Sequence, residues 1–279
     1  MEARYSTVDA GGLRVHLGEL GDPGDPAVLM LHGWPQTHWE WRHVGPAVAA
    51  EGYRVLMPDL RGFGETEITE HGMDPETFAR DQVALLDALG VDRTFLVGHD
   101  WGGYTGFLLA ARHPDRIRAY LACNTPQPWA KVSAKMASEL WRSWYAVVLA
   151  SPLGPELMRR TDLVKRALMA DTRGQGFTDD DLERFAAAFR PVERAKAAQR
   201  LYRSYGKTAL STLRGGSGAG VPPLQVPARL LFGTRDQAIS TELVRGFPGL
   251  ELVPDVGHFI VDERPQLVVQ RALDLFGSA

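Results

Sequence analysis

The sequence predicts an α/β protein: a mostly parallel sheet of eight strands flanked by helices, with an inserted all-helical segment. Three observations predict it. Up to Cys123, short apolar runs alternate with helical patterns, the order that builds a parallel sheet with crossover helices on both faces. From about Pro126 to Arg214 strand alternation disappears and only helical patterns remain. After Val221-Pro222-Pro223, short apolar strands resume and a helix closes the chain.

The elements follow in order. Tyr5 to Val8 and Leu13 to Leu20 read as strands joined by the turn Asp9-Ala10-Gly11-Gly12, which predicts an antiparallel edge. Asp22-Pro23-Gly24-Asp25-Pro26 is a loop by residue type. Ala27 to Leu31 is apolar throughout, as suits a strand buried on both faces. Trp39 to Ala50 predicts a helix ended by Gly52, and Tyr53 to Pro58 the next strand. In the loop after it, Asp59 and Arg61 are assigned a structural role, paired with each other or with local backbone. Pro75 to Leu89 predicts an amphipathic helix, with Asp74 as N-cap, Pro75 in the first turn and Gly90 as stop. Thr94 to Val97 is an apolar run that enters Gly98-His99-Asp100-Trp101-Gly102, and Tyr104 to Arg112 is the helical pattern that leaves it. Ile117 to Cys123 is another strand.

In the insertion, Ala134 to Leu149, Glu156 to Met169, Thr178 to Ala188 and Val192 to Tyr205 read as helices. Thr178 suits an N-cap, and Asp179-Asp180-Asp181 suits a helix N-terminus better than a metal site. Gly215-Gly216-Ser217-Gly218-Ala219-Gly220 is a flexible return loop. It lacks the Lys-Ser/Thr ending of a phosphate cradle. Ala228 to Phe232 is a strand, Thr241 to Gly246 a short helix, Leu250 to Val253 the last strand and Pro265 to Phe276 the closing helix. The expected division is a core of residues 1–125 and 215–279 with a helical cap of residues 126–214.

Composition excludes several classes. The 279 residues are 44% hydrophobic and 23% charged, with net charge −3 and no long run of one sign. No nucleic-acid stripe or basic membrane surface is expected. A single cysteine, Cys123, rules out an internal disulfide and reads as a buried inert thiol. The first residues carry no basic-then-apolar signal, and no apolar run approaches spanning length, so a cytoplasmic protein is expected.

Gly98-His99-Asp100-Trp101-Gly102 has the form of a nucleophile elbow with aspartate where serine usually sits. Strand and helix backbones pass close at such a turn, so its flanks must be small. Asp100 would project beside a helix N-terminus that favours negative charge. A Gly-rich turn with an N-capping aspartate is the plainer reading. His32-Gly33-Trp34-Pro35 leaves the Ala27 to Leu31 strand, where the Trp34 N–H can serve as an oxyanion donor opposite that of Trp101. A turn with a packed tryptophan also fits. Asp236, in Gly233-Thr234-Arg235-Asp236, and His258, in Gly257-His258-Phe259, also follow strands. Ligand crevices of parallel sheets lie at these carboxyl ends. Each residue has a bland alternative, as a turn-former or a satisfied loop histidine. All three in the order nucleophile, acid, histidine point to a catalytic triad.

The chain resembles the α/β-hydrolase family over its whole length, and more narrowly the epoxide hydrolases of that fold, related to haloalkane dehalogenases. His32-Gly33-Trp34-Pro35, Gly98-His99-Asp100-Trp101-Gly102-Gly103 and Gly257-His258 carry the resemblance. Tyr202-Arg203-Ser204 and Trp144-Tyr145, with Pro152 following, resemble the cap segments that hold two ring-opening tyrosines. Ser204 departs from the asparagine that many members have. Tyr145 lies beside Trp141 and Trp144 and equally fits plain core, and the sequence does not separate Tyr202 from Tyr205.

The resemblance implies hydrolysis of a small hydrophobic epoxide to a vicinal diol. The chemistry agrees. An aspartate is ionised at neutral pH and can open an epoxide as an ester-forming nucleophile. Tyr145 and Tyr202 would supply the acid for the leaving alkoxide. His258, oriented by Asp236, would drive water onto the ester while Trp34 and Trp101 hold the oxyanion. No metal or organic cofactor is required. His32, His99 and Asp59 read as scaffolding. Substrate and water are the expected partners, with no nucleic acid and no membrane, on a monomer or homodimer. A haloalkane dehalogenase would use the same Asp-His-Asp set, but Trp34 stands where those enzymes commonly carry asparagine or glutamate. A non-catalytic small-ligand receptor on the same scaffold is the alternative from another class.

Overall fold

The computed structural model describes residues 2–130, 144–172, 175–213 and 220–279, with 206–213 described as backbone. The strands β1 (Arg4–Ala10), β2 (Leu13–Leu20), β3 (Ala27–Leu31), β4 (Arg54–Pro58), β5 (Thr94–His99), β6 (Ile117–Cys123), β7 (Ala228–Gly233) and β8 (Leu250–Val253) form one sheet. Its order is β1-β2-β4-β3-β5-β6-β7-β8. β2 runs antiparallel to both β1 and β4, and every pairing from β4 to β8 is parallel. All eight expected strands are present, and the exposed β1 is the expected edge. Gly11 and Gly12, at φ 64° and 92°, make the two-residue turn that joins β1 to β2.

Successive side chains of the central strands point to opposite faces and feed two apolar layers. Leu29, Leu31, Leu96, Tyr120, Leu230 and Phe232 join one layer. Val28, Met30, Val97, Leu121, Cys123 and Leu231 join the other. Helices α2 (Pro75–Ala88) and α3 (Asp100–Arg112) pack together on the first face. On the second, α1 (Val44–Ala50) packs against the closing helix. From β3 the chain crosses to β4 on one side and returns as β5 on the other. That reversal opens the crevice between the carboxyl ends of β3 and β5.

Between β6 and β7, described helices are α4 (Trp144–Ala150), α5 (Gly154–Arg160), α6 (Leu163–Thr172), α7 (Asp179–Ala187) and α8 (Val192–Leu213). Their apolar faces, through Leu149, Met158, Leu168, Phe185 and Leu201, join the layer that holds α2 and α3. After β8 come the short α9 (Ile260–Glu263) and α10 (Pro265–Phe276). Among the described residues no helix is long and apolar enough to cross a membrane.

Several boundaries differ from expectation. The helix expected over Trp39–Ala50 is a 3₁₀ turn, His38–Arg42, followed by α1. Pro46 has no N–H and its ring would meet the carbonyl four residues back, so the α-helix restarts around it. The span Glu156–Met169 is two helices, because the Thr161 hydroxyl accepts the Leu163 N–H at 3.2 Å and caps a second helix. Val192–Tyr205 extends to Leu213, and Thr241–Gly246 contracts to a 3₁₀ turn, Thr241–Leu243. The caps hold: Asp74 accepts the Thr77 N–H at 2.9 Å, and Thr178 forms a capping box with Asp181. The first part of the helix expected from Ala134, Trp141 within it, and Gly215 to Ala219 of the return loop lie outside the described residues.

Candidate active site

Asp100 sits at the β5–α3 junction with φ 49°, a left-handed conformation that a non-glycine residue adopts at a cost. The turn is possible because its flanks are bare. A Cβ on Gly98 would lie 2.7 Å from the Gly102 carbonyl oxygen. One on Gly102 would lie 2.1 Å from the Leu31 oxygen. Gly33, after β3, approaches so closely that its Cβ would lie 2.4 Å from that of Asp100. That approach lets the Trp34 N–H donate to Asp100 Oδ2 at 2.9 Å, and the Trp101 N–H donates to the same carboxylate. Burial raises the Asp100 carboxyl above its usual value, while His258, His99 and the two N–H groups oppose the shift.

His258 comes from the loop after β8. Its Nδ1 meets Asp236 Oδ2 at 2.9 Å, and its Nε2 lies 3.7 Å from Asp100 Oδ1. Burial disfavours its charge, but Asp236, with Asp100 and Asp171, outweighs burial and raises the imidazole to about 10. Asp236 follows β7 and is fully satisfied. Its Oδ1 accepts the Ala238 and Ile239 N–H groups, both at 2.8 Å, and Oδ2 accepts Asn124 Nδ2 at 2.7 Å besides His258. The three residues that the sequence places at strand ends therefore meet at one point.

Tyr202, on α8, is 4% exposed, and its ring stands edge-on to Trp34 at 5.6 Å and to Trp101 at 5.5 Å. Tyr145, on α4, stands edge-on to Tyr202 at 6.1 Å. Burial raises both hydroxyls well above 10, and the Asp100 charge adds to that. Tyr205 also touches Trp101, at 5.5 Å, but is 37% exposed. Of the two neighbours on α8, Tyr202 is the buried one.

The scaffolding residues hold loops together. His32 Nε2 accepts the Leu60 N–H at 2.9 Å, so its Nδ1 is the donor to the Gly33 carbonyl at 3.0 Å. His99 Nε2 donates to the His258 carbonyl at 2.9 Å. Asp59 does not pair with Arg61, whose partner is Asp81 on α2. Asp59 accepts the ring nitrogens of His16 and His38 at 3.0 and 2.9 Å and the backbone N–H groups of His38 and Glu65. Burial works against that charge, yet the two imidazoles hold the carboxyl well below its usual range. His16, His38 and Asp59 lie close enough for a metal ion, but all four acceptor positions of Asp59 are filled.

Three residues of the site carry little or no signal in the sequence. Asn124, with φ 38°, donates to Asp236 and to the Gly257 carbonyl at 3.1 Å, and accepts the Gly233 N–H at 3.2 Å. Its position just past β6 is the one clue. Glu40 is buried, accepts the Gly33 N–H at 3.0 Å and lies 3.0 Å from His99 Nδ1. Asp171, on α6, accepts the backbone N–H groups of Gln237, at 2.9 Å, and of His258.

Known proteins resemble this chain. The profile of the alpha/beta hydrolase fold matches residues 26–265. Over 282 residues the chain is 28% identical to the AB hydrolase superfamily protein YfhM of Bacillus subtilis, covering 96% of each. It is 29% identical over 285 residues to epoxide hydrolase 3 of Xenopus tropicalis, covering 95% of this chain and 75% of that one. Among solved structures, a mutant epoxide hydrolase of Vigna radiata superposes with a TM-score of 0.80 at 25% identity, over 100% of this chain and 99% of the other.

Proposed function

The chain belongs to the alpha/beta hydrolase fold family, and from that premise we propose that it hydrolyses a small hydrophobic epoxide to a vicinal diol through an ester on Asp100. Relatives and structural neighbours named epoxide hydrolases support the reaction class. One observation carries the mechanism: a partly buried carboxylate, held by backbone N–H groups, lies 3.7 Å from an Asp236-bound imidazole, and its charge is felt by Tyr145 and Tyr202.

The reaction runs in two steps. Asp100 attacks an epoxide carbon, the carbon–oxygen bond of the ring breaks, and the released oxygen takes a proton from the Tyr145–Tyr202 pair. Esterification removes the Asp100 charge, one of the charges that raise His258. The imidazole then loses its proton more readily, passes it on to the tyrosinate left by ring opening, and becomes a base. His258 takes a proton from water, and the hydroxide adds to the Asp100 carbonyl carbon. Trp34 and Trp101 N–H groups stabilise the oxyanion. Collapse releases the diol and restores the carboxylate. The balance is one epoxide and one water to one diol.

In this reading residues 126–214 form a cap over a core of residues 1–125 and 215–279, and the cap contributes the acid. Trp34, Phe189 and Tyr202 give the site an apolar, aromatic lining that suits a hydrophobic substrate. Incubation with styrene oxide and related epoxides should give diols. His258→Gln should accumulate an adduct on Asp100, read as a mass increase of the intact protein. Halide release from haloalkanes, with no diol from any epoxide tried, would replace this reading with that of a dehalogenase.

A further inference from the structure

We propose that Asp171 is a positioning residue for His258: from the cap, its carboxylate clamps the loop that carries the histidine to the loop that carries Asp236. The inference rests on the reaction proposed above and adds a residue to it.

Four observations carry it. The two oxygens of Asp171 divide between the loops. Oδ1 accepts the N–H of Gln237, the residue after Asp236, at 2.9 Å, and Oδ2 accepts the N–H of His258 itself. The carboxylate is buried, so these bonds face little competition from water. The histidine loop is shaped to admit it: a Cβ on Gly257 would lie 2.6 Å from Asp171 Oδ2 and 2.4 Å from the Asp171 carbonyl oxygen. Finally, Asp171 stands in the last turn of α6, where a negative charge opposes the helix dipole. A residue that breaks a local rule while gripping two loops of the site is held there for what it grips.

Glu263 complements the clamp from the core side. Its carboxylate accepts the Gly257 N–H at 3.0 Å, so consecutive N–H groups of the histidine loop go to two acids, one from the core and one from the cap. The histidine is thus placed correctly only when the cap is seated. Asp236, Asp100 and Asp171 present negative charge to the imidazole, and the His99 ring packs at 5.0 Å. Neutralising Asp171 therefore loosens the loop and weakens the proton affinity of His258 together. Ring opening, which depends on Asp100 and the tyrosines, is spared.

The test separates the two steps. Wild type and Asp171→Asn are mixed with excess styrene oxide, quenched at intervals, and the adduct is followed by intact-protein mass spectrometry. The amide nitrogen cannot accept, so one of the two loops loses its bond. Adduct formation should stay within about threefold of wild type, while its hydrolysis slows by about 10–100-fold, the loss of one charge-assisted hydrogen bond. Gly257→Ala, which fills the space of the carboxylate instead of removing it, should show the same split. A purely structural role would lower both rates together through the folded fraction, and an unchanged ratio of the two rates overturns the proposal. An NMR titration of His258 on the resting protein decides the matter independently. In Asp171→Asn the imidazole should titrate about half a pH unit lower, and an unmoved titration overturns the proposal. If wild type forms no adduct, the covalent reaction falls while that titration still tests the clamp.

Discussion

Replacing Gly33 by alanine probes the close approach on which the site is built. A Cβ at this position would stand 2.4 Å from Asp100 Cβ and 2.6 Å from Asp100 Oδ2. Carbon atoms in contact sit about 3.5–4.0 Å apart, so one backbone must retreat by about 1 Å or more. The retreat breaks the 2.9 Å bond from the Trp34 N–H to Asp100 and removes an oxyanion donor. Loss of one such donor costs about 2.7–4 kcal/mol, or about 10²–10³-fold in kcat. The overpacking itself should cost about 1–3 kcal/mol of stability. Diol formation at saturating epoxide, with thermal unfolding in parallel, measures both. Gly24→Ala is the control, because its new Cβ would meet its nearest neighbour only at 4.0 Å. A Gly33→Ala protein with kcat within about threefold of wild type would refute the reasoning.

Three further outcomes follow from the same geometry. Combining Tyr145→Phe with Tyr202→Phe should abolish adduct formation while leaving the fold intact by circular dichroism; full turnover would remove both tyrosines from the mechanism. Asn124→Ala strips one bond from Asp236 and leaves the buried Gly233 N–H and Gly257 carbonyl without it. At about 1–3 kcal/mol per unsatisfied group, urea unfolding should show a loss of about 2–5 kcal/mol, and an unchanged midpoint would contradict the assignment. Stability should also depend on pH through His258, raised from 6.5 to about 10. Because the folded value is the higher one, the stabilisation is complete below about 6.5 and is lost as pH rises through about 10. The melting temperature of wild type should therefore fall more steeply from pH 7 to 10 than that of His258→Gln, and parallel curves would argue against a charged imidazole.

The sheet was legible because its signals are local. Ala27–Leu31 and Thr94–His99 are buried along their whole lengths, and continuous apolar runs announce this directly. Helix ends were less legible where one side chain decides them, as the Thr161 hydroxyl does between α5 and α6. In the candidate site, Asp100 announced itself through the two glycines that its turn requires, and Asp236 and His258 through their places after strands. Asn124 and Asp171 act on partners 112 and 87 residues away, and no local pattern encodes such pairs. For Asp59 the local part was legible, the Glu65 N–H six residues on, whereas the His16 ring, 43 residues away along the chain, was not. Tyr202 and Tyr205 are three apart on one helix and both rings meet Trp101, so only packing, with Tyr202 also against Trp34, tells which is buried.

The central claim is that Asp100 carries the substrate as an ester. A single turnover in water enriched in heavy oxygen, with enzyme in excess over epoxide, tests it most directly. Water attacks the Asp100 carbonyl carbon in this account, so the label should enter the peptide that contains Asp100 while the first diol released carries none. Label found in that first diol, and absent from the protein, would contradict it.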